Sequence, residues 1–215
     1  MSRVRRAILA RPGLEPLVFV ALLCLYIWTL EPVASGPGRV LGAAVLLALP
    51  VCSNLLHRDR PRDLGLRLDN LLHSSREVGG VTLIGTVLIV AGSLAFGWRP
   101  ALTLGGVIGP IAYLVWGFAQ QYALQAFVQR RLRESLQSSQ RAAVVSALLF
   151  GIVHLPNPLL VVSTAVAGYL WCRAFERSPN LVTLAVSHAL LAGLLMSSVP
   201  REIHHVMRVG PGYWR

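Results

Sequence analysis

Residues 102–128 read LTLGGVIGPIAYLVWGFAQQYALQAFV, twenty-seven positions without a charge. Crossing a hydrocarbon core takes about 20 residues, and about 17 at the short end, so this stretch predicts a transmembrane helix. It also carries Gln120, Gln121 and Gln125, at a depth where polar groups are costly and normally face the interior of a helix bundle. Gln121 and Gln125 are four apart and share a face, so they can bond each other. Gln120 is turned by about 100° from Gln121 and is expected to address another helix.

Six further apolar stretches flank it, at 14–35, 39–56, 78–97, 142–157, 159–175 and 181–199. The composition agrees: 54% hydrophobic and 13% charged residues over a length of 215, with a mean hydropathy of +0.60. Too little polar surface remains to cover a soluble globule. The fold class expected is all-α, a polytopic transmembrane bundle of about seven spans, forming one integral membrane domain over 1–215. The first stretch also resembles a signal peptide, with Arg3, Arg5 and Arg6 ahead of residues 17–30 and small residues at Ala34, Ser35 and Gly36. In a chain with six more spans it is read as a helix.

The net charge of +11 suggests nucleic acid, but all 20 basic residues are Arg and they fall between the apolar runs. Basic residues placed that way orient a chain in a bilayer, and no nucleic-acid partner is expected. With the N-terminus inside, fifteen Arg fall on the inner side, among them Arg58, Arg76, Arg130, Arg141 and Arg177. Five fall outside: Arg39, Arg99, Arg201, Arg208 and Arg215. The expectation is a multi-pass protein of the cytoplasmic (inner) membrane with a cytoplasmic N-terminus. The loop 57–77, through Leu64-Gly65-Leu66 and Leu68, predicts a short interfacial helix, and Tyr213 and Trp214 predict a headgroup anchor. Cys24, Cys52 and Cys172, an odd number without CxxC spacing, are expected to be buried free thiols.

All nine acidic residues lie at span edges or in loops, so no carboxylate is available at mid-membrane depth for acid/base work or a proton relay. The polar residues inside spans are Gln120, Gln121, Gln125, His154 and His188. At 1.5 Å per residue, Gln120 lies about 15 Å from Arg130, His154 about 20 Å from Arg141 and His188 about 16 Å from Arg177. These groups can therefore meet in one layer, reached from the Arg-rich, cytoplasmic side. The bland alternative is interhelical hydrogen bonding, worth about 0.6 kcal/mol per bond in membranes. A Cys nucleophile paired with His is a further alternative. No metal or cofactor is expected, because catalytic zinc takes three protein ligands and the third here would be a glutamine. His204 and His205 read as interfacial, Trp98, Tyr169 and Trp171 as packing. Gly105, Gly106, Gly109 and Pro110 read as sites of close helix approach or a kink.

Three short motifs, Gln120-Gln121-Tyr-Ala-Leu-Gln125, Phe150-Gly-Ile-Val-His154 and His188-Ala-Leu-Leu-Ala192, match in order and spacing the Glu-Glu-x-x-x-Arg, Phe-x-x-x-His and His-x-x-x-Asn motifs of the CPBP family. The chain thus resembles the CAAX-protease and bacteriocin-processing (Abi) proteins, which include the type 2 CAAX prenyl proteases, over roughly 116–195. The resemblance implies an intramembrane endopeptidase acting on peptide or lipidated C-termini from the cytoplasmic side, with a peptide or protein client and the bilayer as partners. It assigns catalytic positions to Gln120, Gln121, His154 and His188, and supporting ones to Gln125, Phe150 and Ala192.

The departures bear on chemistry. A carboxamide donates and accepts but has no useful basicity near neutral pH, so Gln120 can position water and cannot deprotonate it. Replacing only the carboxylates would strand a guanidinium in the bundle; Gln at both 121 and 125 substitutes a neutral pair. Two functions follow from the residues: hydrolysis with a neutral histidine as base, or a pseudoprotease that binds clients, or helps them mature, without cutting.

Overall fold

A computed structural model describes residues 12–98 and 104–215, with 104–112 by backbone alone. Arg3, Arg5, Arg6, Arg11 and Arg99, used above for orientation, lie outside the described residues, as does the start of the 102–128 stretch. Among the described residues every regular element is helical. We number them α1 (Leu14–Leu25, continued by the π-helical Tyr26–Leu30), α2 (Gly36–His57), α3 (Leu71–Ala95), α4 (Leu104–Gln121, continued through the π-helical Tyr122–Gln129 into Arg130–Leu136), α5 (Ser139–Ile152), α6 (Pro158–Arg177) and α7 (Leu181–Ser198). Helices α2, α3, α6 and α7 are long and apolar enough to cross a membrane, with mean hydropathies of 1.9, 2.1, 1.4 and 1.8.

Local signals set the boundaries. Ser35, Ser138, Asn157 and Asn180 cap the N-termini of α2, α5, α6 and α7 by accepting backbone N–H bonds, as short polar side chains at that position do. Arg58 and Gln137 take left-handed backbone where α2 and α4 stop. Helix α5 ends at Ile152, short of the expected 157, because Pro156 and the Asn157-Pro158 start of α6 cannot continue it. At 14 residues it spans only about 21 Å, and His154 sits in the turn beyond it.

Helix α7 packs against α4 and α3, and α5 pairs with α6. The α5–α6 pair is close: a Cβ on Gly151 would come within 3.0 Å of the Val161 carbonyl, and one on Gly168 within 3.1 Å of the Phe150 ring. The close approach or kink expected at Gly105, Gly106, Gly109 and Pro110 falls where the backbone alone is described. The loop after α2 forms turns, correcting the predicted interfacial helix. Gly65, at φ +77°, lies against Phe175 and α7's first residues, and its carbonyl accepts from the Leu181 N–H.

At the Arg-rich end, Arg131 is completely buried. Its guanidinium donates to Asp59, Glu134, the Asn54 Oδ1 and the Ser53 hydroxyl. Ser53 in turn bonds Glu15, which also meets His57 at 2.7 Å. This network ties α1, α2 and α4 together and closes that end. Cys172 is buried as expected, but Cys52 is exposed and Cys24 is half-buried against the Phe19–Phe127 cluster, so two of the three thiols depart from the expected full burial.

Candidate active site

The packing leaves a cavity of about 1070 Å³, walled by α1–α7 and the segment after α7. Gln120, His154 and His188 all line it, as do Phe150 and Ala192. The ring of Phe150 lies edge-on to both imidazoles, with centroids 5.0 Å from His154 and 6.2 Å from His188. The two histidines therefore share one site, from helices far apart in sequence.

His154 Nδ1 lies 2.6 Å from the Phe150 carbonyl oxygen, an acceptor only, so Nδ1 carries the proton and Nε2 the lone pair in the neutral ring. Thr164 supports the same nitrogen at 3.3 Å and donates to the Leu160 carbonyl at 2.6 Å. His188 is held the opposite way. Gln125 Nε2 donates to Gln121 Oε1 at 3.2 Å, which aims the Gln121 amide nitrogen at His188 Nδ1, also at 3.2 Å. Nδ1 then accepts, and the proton of His188 sits on Nε2. One ring presents a base, the other a donor.

The expected pairing of Gln121 with Gln125 is present. Gln120 differs from expectation: its amide reaches the Tyr113 hydroxyl on its own helix, at 3.4 Å, and otherwise faces the cavity. Tyr113 and Trp171 both pack on the His188 ring, at 5.7 and 4.9 Å, and Trp171 Nε1 donates to Ser187. Trp171, expected to pack, does so on His188; Tyr113 stands two turns before Gln120 on α4, a spacing that signals it, whereas Thr164 lies on α6, which carries no motif, and only the tertiary contact reveals it. The π-helical stretch begins directly after Gln121, a type of irregularity that recurs at functional sites. Tyr169 is a packing residue, as expected. Cys172 faces away from the cavity, which removes it as a nucleophile beside these histidines.

The cavity's polar edge is formed by Glu31, Arg39, Arg208 and Arg215, at the end opposite Arg131. Toward the Arg-rich end, from which access is expected, the buried Arg131 network and the Gln121–Gln125 layer lie beside the cavity. The segment after α7 folds along the opposite rim. Asn157, fully buried, donates to the carbonyls of His204 and Arg208, and Gly210 N–H donates to the Leu155 carbonyl. Trp214 meets Trp28 at 6.0 Å and Tyr213 meets His205 at 4.0 Å, so the two expected anchor residues pack on the protein. Trp98 stacks on Phe96. His204 is buried outside the cavity, and burial pushes its imidazole below the ordinary range.

The family model described as Rce1-like, type II CAAX prenyl endopeptidase, matches residues 105–194. Over this segment the chain is similar to the Rce1-like family. The match spans α4 through α7 and contains all three motifs, every histidine and glutamine of the cavity site included. No curated protein and no solved structure matches the chain. The Rce1-like segment thus supplies the motif-bearing wall of the cavity, and α1–α3 with the segment after α7 supply the rest.

Proposed function

We propose that this Rce1-like protein is an intramembrane endopeptidase of altered chemistry, taking a peptide or lipidated C-terminal segment into the cavity. The observation that carries the reading is the pair of histidines on one wall, each held through Nδ1, His154 by the Phe150 carbonyl and His188 by the Gln121 amide. Water beside His154 gives a proton to Nε2 as its oxygen attacks the substrate carbonyl carbon. His188 Nε2–H and the Gln120 amide donate to the oxygen on which charge develops. The C–N bond then breaks, and the leaving amine takes the proton back from His154. Gln121 and Gln125 act as positioning residues, holding the donor tautomer of His188. Phe150 spaces the two rings, and Ala192 leaves room on the wall where the family has an amide donor.

A second reading, capture of a client without cleavage, is favoured by one feature: the only carboxylate on the cavity wall among the described residues is Glu31, at the mouth. The imidazolium formed on His154 would have a backbone carbonyl for its partner and no negative charge. Taking the Arg-rich end as cytoplasmic, the mouth faces the other side of the membrane, and the client reaches the site from there or laterally.

The two readings separate in liposomes carrying purified protein and a candidate lipidated peptide. Hydrolysis predicts cleavage that falls about 10²–10⁴-fold in His154→Ala and about 10²–10³-fold in His188→Ala, with peptide binding retained. Binding without cleavage by the unsubstituted protein supports capture. Cleavage unaffected by either substitution refutes the assignment of these residues.

A further inference from the structure

At the Arg-rich end a second pocket, of about 240 Å³, is bounded by Asp63, Gln125, Gln129, Arg130, Arg133 and Glu176, with Phe175 and Pro179. Gln125 and Gln129 are 1% and 3% exposed and stand one turn apart. Each has committed its amide nitrogen: Gln125 to Gln121, Gln129 to the Cys172 carbonyl and Glu176 Oε1 at 3.1 and 3.0 Å. Neither side-chain carbonyl has a partner. Buried acceptors are almost always satisfied, so two stranded oxygens lining the same pocket point to an occupant that donates.

The rest of the lining narrows its chemistry. Glu176, bonded by Gln129 at Oε1 and by Arg173 at Oε2 (2.6 Å), adds the remaining lone pairs of its carboxylate beside the two carbonyls, giving three acceptor groups, the number of N–H donors on a primary ammonium. Arg130 is held by Asp59 at 2.7 Å. Arg133 is exposed at the rim and forms no ion pair among the described residues. Positive and negative features thus lie side by side in a space smaller than a drug-sized site, which runs from about 300 Å³. The pocket sits where α4 and α6 leave their apolar stretches, the level of headgroups.

We propose that this pocket binds a primary ammonium carried next to a phosphate, the phosphoethanolamine group. The ammonium donates to Gln125 Oε1, Gln129 Oε1 and Glu176, and the phosphate meets Arg133. The source is a lipid headgroup or a soluble compound with the same group. A choline headgroup has no N–H and leaves both carbonyls unsatisfied. The site is separate from the cavity and independent of whether the protein hydrolyses peptides, yet Gln125 leads through Gln121 to His188 in two hydrogen bonds.

The test is native mass spectrometry of the full chain, exchanged with phosphatidylethanolamine, its N-methylated forms and phosphatidylcholine, with soluble O-phosphoethanolamine as competitor. The expected result is about tenfold preference for phosphatidylethanolamine over phosphatidylcholine, falling with each N-methylation and lost in Gln129→Leu. Arg133→Ala, at an exposed position that leaves folding intact, should weaken retention several-fold. Competition by millimolar O-phosphoethanolamine identifies a soluble source, and its absence a lipid; both uphold the site. Equal retention of the two lipids overturns it, as does a preference unchanged in both variants.

Discussion

The Gln125–Gln121–His188 chain makes a quantitative prediction for Gln121→Leu. Leucine is close in volume to glutamine, so little cavity is created at this fully buried position. The substitution removes two hydrogen bonds, stranding the Gln125 amide N–H and His188 Nδ1. Interhelical hydrogen bonds in bilayers average about 0.6 kcal/mol, which sets a floor of about 1 kcal/mol. Stranded buried groups cost about 1–3 kcal/mol each, which sets a ceiling of about 6 kcal/mol. Gln125→Leu strands only Gln121 Oε1 and should cost about half as much. The double variant removes both members of the Gln–Gln bond and should cost less than the sum of the singles, with a coupling of about 0.5 kcal/mol or more. Reversible unfolding in mixed micelles measures all three. Nitrogen-15 NMR of the imidazoles reports the companion effect, loss of the fixed Nε2–H form of His188 in Gln121→Leu alongside an unchanged His154. Equal and additive costs, or an unchanged His188 spectrum, would refute the chain.

Two further predictions concern the ends of the bundle. Arg131→Met removes a buried guanidinium, takes a donor from the Asn54 and Ser53 side chains and leaves Arg130 as the remaining partner of Asp59 and Glu134; breaking such a network costs about 3–5 kcal/mol, or about 6–20 °C in Tm for a chain of this size. Thermal unfolding in detergent should show that drop, with Arg60→Met, exposed in the neighbouring loop, within about 0.5 kcal/mol of the unsubstituted protein. His204 is neutral in the fold, and its Nδ1 accepts the Val206 N–H. Because burial lowers its folded pKa, its contribution is fully present above the unfolded value of about 6.5 and is lost as pH falls below it. Hydrogen exchange of 201–215, corrected for intrinsic rates, should therefore rise between pH 7.5 and 5, and His204→Phe should flatten that rise.

Much of this arrangement was readable from hydropathy and spacing. Among the described residues, each of the seven stretches is mainly helical, since a run of apolar residues in lipid has few alternatives that satisfy its backbone. The i, i+4 relation joined Gln121 to Gln125, and depth counting brought Gln120, His154 and His188 to one cavity. What spacing misses is set by tertiary contacts. The loop at Gly65 has a helix-like apolar pattern but is pinned by α7 in a left-handed turn. Arg131 lies between exposed-looking neighbours in an Arg-rich run, and only the convergence of Asp59, Asn54 and Ser53 from α2 and the following loop reveals it as buried.

The contrast between Arg131 and Gln125 bears on why the site is neutral. Six residues, about 9 Å of helix, separate a buried cation held by several oxygens from a mid-depth chain of uncharged amides. The fold accommodates ion pairs where α2 and its loop bring carboxylates to meet them. Around His188 no carboxylate is near, so a guanidinium at position 125 would be stranded and a carboxylate at 121 unpaired. Neutral amides satisfy one another there and still aim a proton at the cavity through His188. Gln121 donates to His188 Nδ1 where a carboxylate could only accept, so the amide sets the proton of His188 on Nε2 without introducing charge. In the hydrolysis proposed above, such a site offers His188 Nε2–H to a substrate carbonyl and leaves the activation of water to the Nε2 of His154.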